Sequence, residues 1–364
     1  MSPSPAVPLK ITTPPKEILP LKTELLPVTP GALARAGALI RSGELVAFPT
    51  ETVYGLGADA LNAAAVRRIF EAKGRPGDNP LIVHISHIDQ LDPLIAARPS
   101  PMARALMDAC WPGPMTLIFP KSDRVPMAVT AGLDTVAVRF PAHPDARALI
   151  DAAQRPIAAP SANRSGRPSP TTALHVWEDM EGRIPLILDG GPCRVGLEST
   201  VIDVTGDTPR VLRPGGVTPE RIAEICGAAQ VDEAVMRPLK EGERPRSPGM
   251  KYRHYAPRGQ LTIVRGERAA VAERIAALYD QAQSQGLHPL ILALEGRLSA
   301  YGDRQTLSLG PDAESMARTI FAALRRADEL GAQAIFSEAV PDTGLGLAVM
   351  NRLGRAAAFH IIEV

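Results

Sequence analysis

Short apolar runs alternate with amphipathic stretches along most of the chain, and their periods separate strands from helices. Gly31 to Arg41 (GALARAGALIR) has helical spacing and stops at Gly43, a C-terminal cap signal. Leu45 to Pro49 is short and apolar and predicts a strand. Asn62 is placed to cap a helix over Ala63 to Lys73, and Gly74 to close it. Next come a buried strand in PLIVHIS (Pro80 to Ser86), a helix over Pro99 to Cys110, and strands in MTLIFP (Met115 to Pro120) and TVAVRFP (Thr135 to Pro141). A helix near Asp145 to Ala153 precedes four more strand candidates, PIAAP, PLILDGG, STVIDV and RVLRPG, the last three with no helix between them. This mixture predicts a twisted mixed sheet with flanking helices rather than a strictly parallel one.

The pattern changes twice. Eight prolines fall in the first 30 residues, so residues 1–26 read as a flexible, proline-rich leader. Residues 27–230 then form the first domain. Residues 231–258 read as a basic, proline-rich linker; from Arg237 to Arg258 seven Lys/Arg face two Glu. Its stretch SPGMKYRHYAP (Ser247 to Pro257) joins Gly249 to a cluster of cations and tyrosines, the composition of a lid over a site. Residues 259–364 alternate again: LTIVRG, a helix near Glu267 to Gln283, HPLILAL, a helix near Asp312 to Leu330, AQAIFSEAV and a helix over Leu347 to Ala357. That order predicts a smaller, Rossmann-like three-layer α/β domain with mainly parallel strands.

With 364 residues, two domains are expected. The net charge of +1 advertises no overall basic field for nucleic acid. Cys110, Cys193 and Cys226 are few and far apart, which fits neither a disulfide framework nor a zinc site. The N-terminus lacks the continuous apolar stretch of a signal peptide, and no run is long enough to span a bilayer. A cytoplasmic protein with no membrane partner is expected.

The chemistry-bearing residues are scattered. No GxxxxGK[ST] loop occurs, so any nucleotide must be held by another device. GLGADA (Gly55 to Ala60) matches a dinucleotide fingerprint only formally, because the next helix opens after Asn62 instead of at the glycine turn. Lys73 and Arg75 read either as helix-end cations or, beside Ser161 and Asn163 at the end of PIAAPSAN, as a polyphosphate cradle. His84, inside an apolar strand, is a satisfied core histidine or a substrate contact. Thr135 and Arg139 share a strand face, and Arg139 snorkels or binds a carboxylate. Glu198, Ser199 and Thr200 read as turn residues opening a strand.

Taken together, PTETVYGLG, AKGRPGDNPLIVHI, WPGPMTLIF, TAGLDTVAVRFPAHP, PIAAPSANRSGRPSPT, GLESTVIDV and VLRPGG resemble the YrdC-like family. SPGMKYRHYAP resembles the linker of its longer, two-domain members, the threonylcarbamoyl-AMP synthases. The resemblance implies condensation of L-threonine, bicarbonate or CO2, and ATP to threonylcarbamoyl-AMP and pyrophosphate, for threonylcarbamoyladenosine modification of tRNA by downstream transfer proteins. It puts the family's catalytic signatures on Lys73, Arg75, Ser161 and Asn163. ATP contacts fall on Arg75, Asn79, Thr135, Ser161, Ser169, Arg213 and Tyr252. Threonine contacts fall on Thr52, His84, Arg139, Ala159 through its backbone, and Ser199. Mg²⁺ is expected on the phosphates, with no metal ligated by the protein. Two rivals remain: an RNA-binding module with weak tRNA affinity and no synthase activity, and a hydrogenase-maturation carbamoyltransferase, whose further regions this length and cysteine count do not accommodate.

Overall fold

The computed structural model describes residues 21–238 and 254–364. The first part opens with β1 (Glu24–Pro27), α1 (Pro30–Arg41), β2 (Val46–Phe48), β3 (Gly55–Asp59) and α2 (Ala63–Lys73). It continues with β4 (Ile82–His84), α3 (Pro101–Cys110), β5 (Met115–Pro120), α4 (Met127–Thr130), β6 (Thr135–Arg139), α5 (Pro144–Ala153) and β7 (Ile157–Ala158). Helix α6 (Ala173–Met180), β8 (Leu186–Asp189), β9 (Thr200–Asp203), β10 (Arg210–Arg213), α7 (Pro219–Cys226) and β11 (Gln230–Val231) complete it. The second part holds β12 (Gln260–Arg265), α8 (Arg268–Ser284), β13 (Pro289–Ala293), β14 (Thr306–Ser308) and α9 (Ala313–Glu329), then β15 (Ala334–Glu338), α10 (Gly344–Ala356) and β16 (Ile361–Glu363).

The first eleven strands form one mixed sheet, in the order β1-β8-β2-β3-β7-β4-β6-β5-β9-β10-β11. Alternation decides its two faces. Leu56, Ala58, Val83, Leu117, Val138 and Ile202 point to one side and join the core under α2, α3 and α6. On the other side Val46, Phe48, Ile157 and Leu186 pack against α1 and α5. Those two helices cover only half of that face. Register carries it on through His84, paired with Ile157 and Arg139, to Ile82 and Ala137. There Ile82, Ile118, Ala137, Val201 and Leu212 form a separate small apolar floor, each less than a tenth exposed.

Three expectations change. Residues 24–26 are not leader, because Leu25 and Leu26 extend the sheet as β1, parallel to β8 from Glu24↔Leu186 to Pro27↔Asp189. A proline is tolerated at the end of such an edge strand. The linker does not begin at Val231 either. Gln230 and Val231 pair with β10, and Ala234 and Val235 are fully buried, their carbonyls accepting from Arg355 and Asn351 of α10. The second domain is a three-layer unit with five parallel strands, yet its order, β14-β13-β15-β12-β16, departs from the Rossmann-like expectation. In the dinucleotide fold consecutive first strands are neighbours; here β15 separates β12 from β13. GLGAD forms strand β3, an element not expected there, and a Cβ at Gly57 would meet the Phe48 ring at 2.9 Å. Among the described residues no helix is long and apolar enough to cross a membrane.

The α1–α5 crossing is close enough to demand glycine at one point. A Cβ at Gly37 would sit 2.5 Å from Ala152 backbone atoms, whereas one at Gly31 meets nothing within 4 Å. Gly37→Ala should therefore destabilise by about 1–3 kcal/mol, as overpacking does. Gly31→Ala should be neutral or stabilising, since alanine favours helix by roughly 0.5–1 kcal/mol. Denaturant midpoints of the two variants check the contrast.

Candidate active site

This sheet face, the 50–55, 159–161 and 198–199 segments and His254 and Tyr255 ahead of the second domain enclose a small cavity. Thr52, Arg75, His84, Arg139, Ala159, Ser161, Ser199 and Arg213 line it, together with Glu198, His254 and Tyr255. Its volume, about 60 Å³, is well below the roughly 300 Å³ at which small-molecule pockets begin.

Arg139, 4 % exposed at the end of β6, organises one side of the cavity. Its Nη2 lies 2.8 Å from Glu51 Oε1, and Nη1 donates to Thr52 Oγ1 at 2.8 Å. The relay has one direction. Thr50 Oγ1 gives its proton to Val53 O at 2.6 Å, so the Thr52 hydroxyl donates to Thr50 at 2.8 Å and keeps a lone pair for Arg139. Burial acts to raise the Glu51 pKa, but Arg139 and hydrogen bonds from Arg139 and the Ala142 N–H outweigh it and hold the group below its usual range. Even so Glu51 Oε2 and Arg139 Nη2 have no aligned hydrogen bond, and neither does His84 Nδ1. Burial, then Arg139, push His84 down to about 3, so it is a neutral ring, edge-on to Phe48. Buried polar atoms without partners are rare, and Glu51 Oε2, His84 Nδ1 and His254 Nε2 together mark a place for a ligand. Ser199 completes this wall, with Oγ 2.8 Å from Thr116 Oγ1 and accepting from Arg213 Nη2 at 3.2 Å. Ala159 already gives its N–H to Ile82 O, so a backbone contact there falls to its carbonyl.

The Lys73/Arg75 and Ser161/Asn163 signatures do meet, though not as four phosphate contacts side by side. Lys73 is 4 % exposed, which removes the reading of a solvated helix-end cation. Its Nζ donates to Ser161 O and Asn163 O, both at 2.5 Å, and to Asn163 Oδ1 at 3.3 Å. Burial, then Arg75, pull its pKa well down, against the charges of Asp179 and Glu198. Asn163 in turn takes the Ser161 hydroxyl on Oδ1 at 2.5 Å and donates to Arg164 O and Arg167 O. Lys73 and Asn163 thus lock the turn, while Arg75 and Ser161 face the cavity. With its proton committed to Asn163, Ser161 offers the cavity lone pairs.

The remaining expected ATP contacts are more dispersed. Arg213 lines the cavity and donates from Nε to Ser199 O at 3.1 Å; burial lowers it to about 10. Asn79 is fully buried behind Arg75, whose Nη2 reaches its carbonyl at 3.3 Å. The Ser169 hydroxyl donates to Glu198 Oε1 at 2.5 Å. Thr135 lies at the far end of β6, in a neighbouring hollow with Ile118, Asp203 and Leu212, on the face predicted for it beside Arg139. Tyr252, and with it Ser247 to Arg253 of the expected lid, lies outside the described residues. Sequence reasoning missed Glu51, the ion partner of Arg139, and passed over Glu198 as turn chemistry. A glutamate inside an otherwise apolar and hydroxyl-rich run was the available signal for both.

A second crevice, about 450 Å³, lies at the carboxyl ends of β12, β13 and β15. Its Arg297 and Arg265 are taken by Glu338 at 3.0 Å and Asp342 at 3.2 Å, and none of its lining residues carries an unpaired buried polar atom. The first cavity, by contrast, carries such atoms on His84 and His254.

Fold and site define a YrdC-like domain, an open mixed sheet with buried cations and hydroxyls on one face, packed against a second α/β domain. Comparison with known proteins agrees. A family model described as telomere recombination matches residues 38–215, and one described as threonylcarbamoyl-AMP synthase, C-terminal domain, matches residues 217–358. The threonylcarbamoyl-AMP synthase of Pyrococcus abyssi is 50 % identical over 90 % of this chain and 95 % of its own. That of Bacillus subtilis is 49 % identical over 94 % and 97 %. The crystal structure of P. abyssi Sua5 complexed with L-threonine superposes with a TM-score of 0.88 at 48 % identity, covering 94 % of this chain and 99 % of that one. The chain belongs to the threonylcarbamoyl-AMP synthase family.

Two outcomes follow from the buried groups. Burial also depresses His254 to about 3 and His175 to about 4. The unfolded chain binds these protons below about 6.5 while the native state does not, so stability is full above that pH and falls as pH drops. Thermal melts from pH 6.5 to 4.5 should show a decline of up to about 1.4 kcal/mol per pH unit for each histidine. Asparagine at positions 84, 175 and 254 together should flatten it. Separately, Lys73→Met should lower turnover and melting temperature together, because three carbonyl-type oxygens lose a buried donor at a cost of about 1–3 kcal/mol or more. A variant with wild-type stability would show that the turn does not depend on Lys73.

Proposed function

We propose that this chain is an L-threonylcarbamoyladenylate synthase whose chemistry takes place in the Arg139 cavity. The observation that carries the reading is the meeting of unsatisfied Glu51 and His84 atoms with the Arg139 guanidinium and the hydroxyls of Thr52 and Ser199, beside two further buried arginines. Arg139 keeps donor capacity for the threonine carboxylate, in the planar geometry that arginine favours. The neutral His84 ring and the hydroxyls of Thr52 and Ser199 would take the amino and hydroxyl groups.

The threonine amine adds to CO2, drawn from bicarbonate, to give a carbamate. One carbamate oxygen attacks the α-phosphorus of ATP, forming an O–P bond as the bond to the β-phosphate bridging oxygen breaks and pyrophosphate leaves. No side-chain nucleophile is needed, so positioning and charge neutralisation carry the rate. Arg75 and Arg213 would hold phosphate oxygens, with Lys73 and Asn163 keeping Ser161 in place. The apolar floor from Ala137 to Leu212 would carry the nucleoside toward Thr135. Mg²⁺ would travel on the phosphates, neutralising charge as the bond to the leaving group breaks. Among the described residues no cluster of three or more metal-ligating side chains gathers, and the donor set of arginines and hydroxyls suits the phosphates rather than the ion. ATP does not fit in about 60 Å³, so His254 and Tyr255 would have to withdraw for it to enter. The product would pass to a tRNA-modifying transfer protein.

The purified protein with ATP, Mg²⁺ and bicarbonate should release pyrophosphate only with threonine, and mass spectrometry should find the adenylate. Valine should be at least about 10²-fold poorer, since it leaves buried polar groups unpaired, and serine about 10–200-fold poorer at most. Arg139→Met should raise the threonine KM by about 10²-fold or more, the scale of a lost buried charge contact. Turnover of valine at the threonine rate would overturn the pocket assignment. Salt-sensitive tRNA binding without pyrophosphate release would favour the RNA-binding reading.

A further inference from the structure

Two buried arginines of the second domain reach the segments that carry the candidate nucleotide contacts. Arg325 of α9, 1 % exposed, donates from Nη2 to Pro168 O at 2.6 Å and to Asp179 Oδ2 at 2.7 Å. Arg352 of α10 is fully buried. It donates from Nε to Glu198 Oε2 at 2.7 Å and from Nη2 to the Glu198 carbonyl at 3.3 Å. Its guanidinium also lies 5.7 Å from the centre of the Tyr255 ring, on the cavity wall.

Glu198 is an unexpected group in that wall. The other charged side chains lining the cavity are Arg75, Arg139 and Arg213, the set expected around a polyanion. A buried carboxylate among them would repel phosphates unless its charge is cancelled from behind. Glu198 cannot simply be absent, since Oε1 holds the Ser169 hydroxyl and the residue sits next to Ser199. Arg352 approaches from the side away from Ser169 and makes two contacts to the same residue.

We propose that Arg352 is a positioning residue of the synthase: from the second domain it backs the Tyr255 wall and neutralises Glu198, which then orders Ser169 without repelling ATP. This rests on reading the cavity as the ATP site. It gives the second domain a share in substrate binding although it touches no substrate. A purely structural pair would show its stranded charge in the melting temperature and leave the ATP KM unchanged. Removing one member of a buried pair leaves a stranded charge, whereas replacing both by neutral groups is often tolerated.

The experiment is a double-mutant cycle on the full chain, with pyrophosphate release as assay and separate KM values for ATP and threonine. Arg352→Met should raise the ATP KM at least about tenfold, the effect of a stranded buried charge. Arg352→Lys, which keeps the charge, should lose less. Adding Glu198→Gln to Arg352→Met should recover most of the ATP affinity, because the stranded carboxylate is gone. Melting temperatures report folding independently. An unchanged ATP KM in Arg352→Met, or a double variant as impaired as the single one, overturns the inference. Should Arg352→Met fail to fold, the double variant and Arg352→Lys decide: folded protein that binds threonine but not ATP in both counts against it. Absence of threonine-dependent pyrophosphate release from the unaltered protein would instead defeat the functional reading itself.

Discussion

Buried cations need oxygen partners, and this fold gathers several around one cavity. Lys73, Arg139, Arg213 and Arg352 are each less than about a tenth exposed. Taking a charge out of water costs several kcal/mol even after relaxation, so none can wait unpaired for a ligand. Each is therefore given a protein partner of its own: carbonyls of the 161–163 turn for Lys73, Glu51 for Arg139, Ser199 for Arg213 and Glu198 for Arg352. The paths of these loops follow from that requirement. The 161–163 turn closes around an ammonium, and the 198–199 segment is pinned between two guanidinium groups.

The same requirement shapes how a substrate could bind. An arginine already neutralised by Glu51 gives a ligand carboxylate less than a bare cation would, but it stays folded and aimed. Net affinity is then the difference between two carboxylates competing for one fork. The hydroxyl relay from Thr52 to Thr50 to Val53 O fixes which lone pairs are left over. In the proposed threonine pocket, selectivity for a small hydroxylated amino acid would arise from those fixed acceptors and donors more than from shape.

Much of the fold was legible because local signals and packing agreed. Asn62 caps α2 and Gly74 ends it in the left-handed region, at φ 60°, as the spacing required. The one-sided placement of Thr135, Ala137 and Arg139 was also legible, since strand alternation leaves no choice. Helices α6 and α7 went unread although Thr172 and Thr218 cap them and Pro219 opens the second; at eight residues each they show barely two turns of periodicity. In the site, motif residues were recoverable but their division of labour was not. Whether Lys73 faces a ligand or a carbonyl depends on where residues 161–163, nearly ninety positions away, return to α2. Glu51 and Glu198 carry meaning only once Arg139 and Arg352 stand opposite them, and those pairings span 88 and 154 positions (139 − 51 and 352 − 198).

The interface between the domains shows why partner choice matters more than contact strength. Val53 and Leu197 of the first domain already join the apolar core of the second, with Phe321, Met316 and Leu353. That burial is sufficient to hold the domains together, and it is tolerant of small sliding. Charged partners are not. Arg352 and Arg325 must meet Glu198 and Asp179 within hydrogen-bond distance or leave charges stranded, so they select one register of α9 and α10 on the catalytic domain. Tyr255 depends on that register: at φ +64° a bulky residue is strained. Phe321 at 5.0 Å between ring centres and the Arg352 guanidinium hold it there. The strained residue lines the cavity, so the docking geometry of the second domain and the volume open to substrate are set by the same side chains.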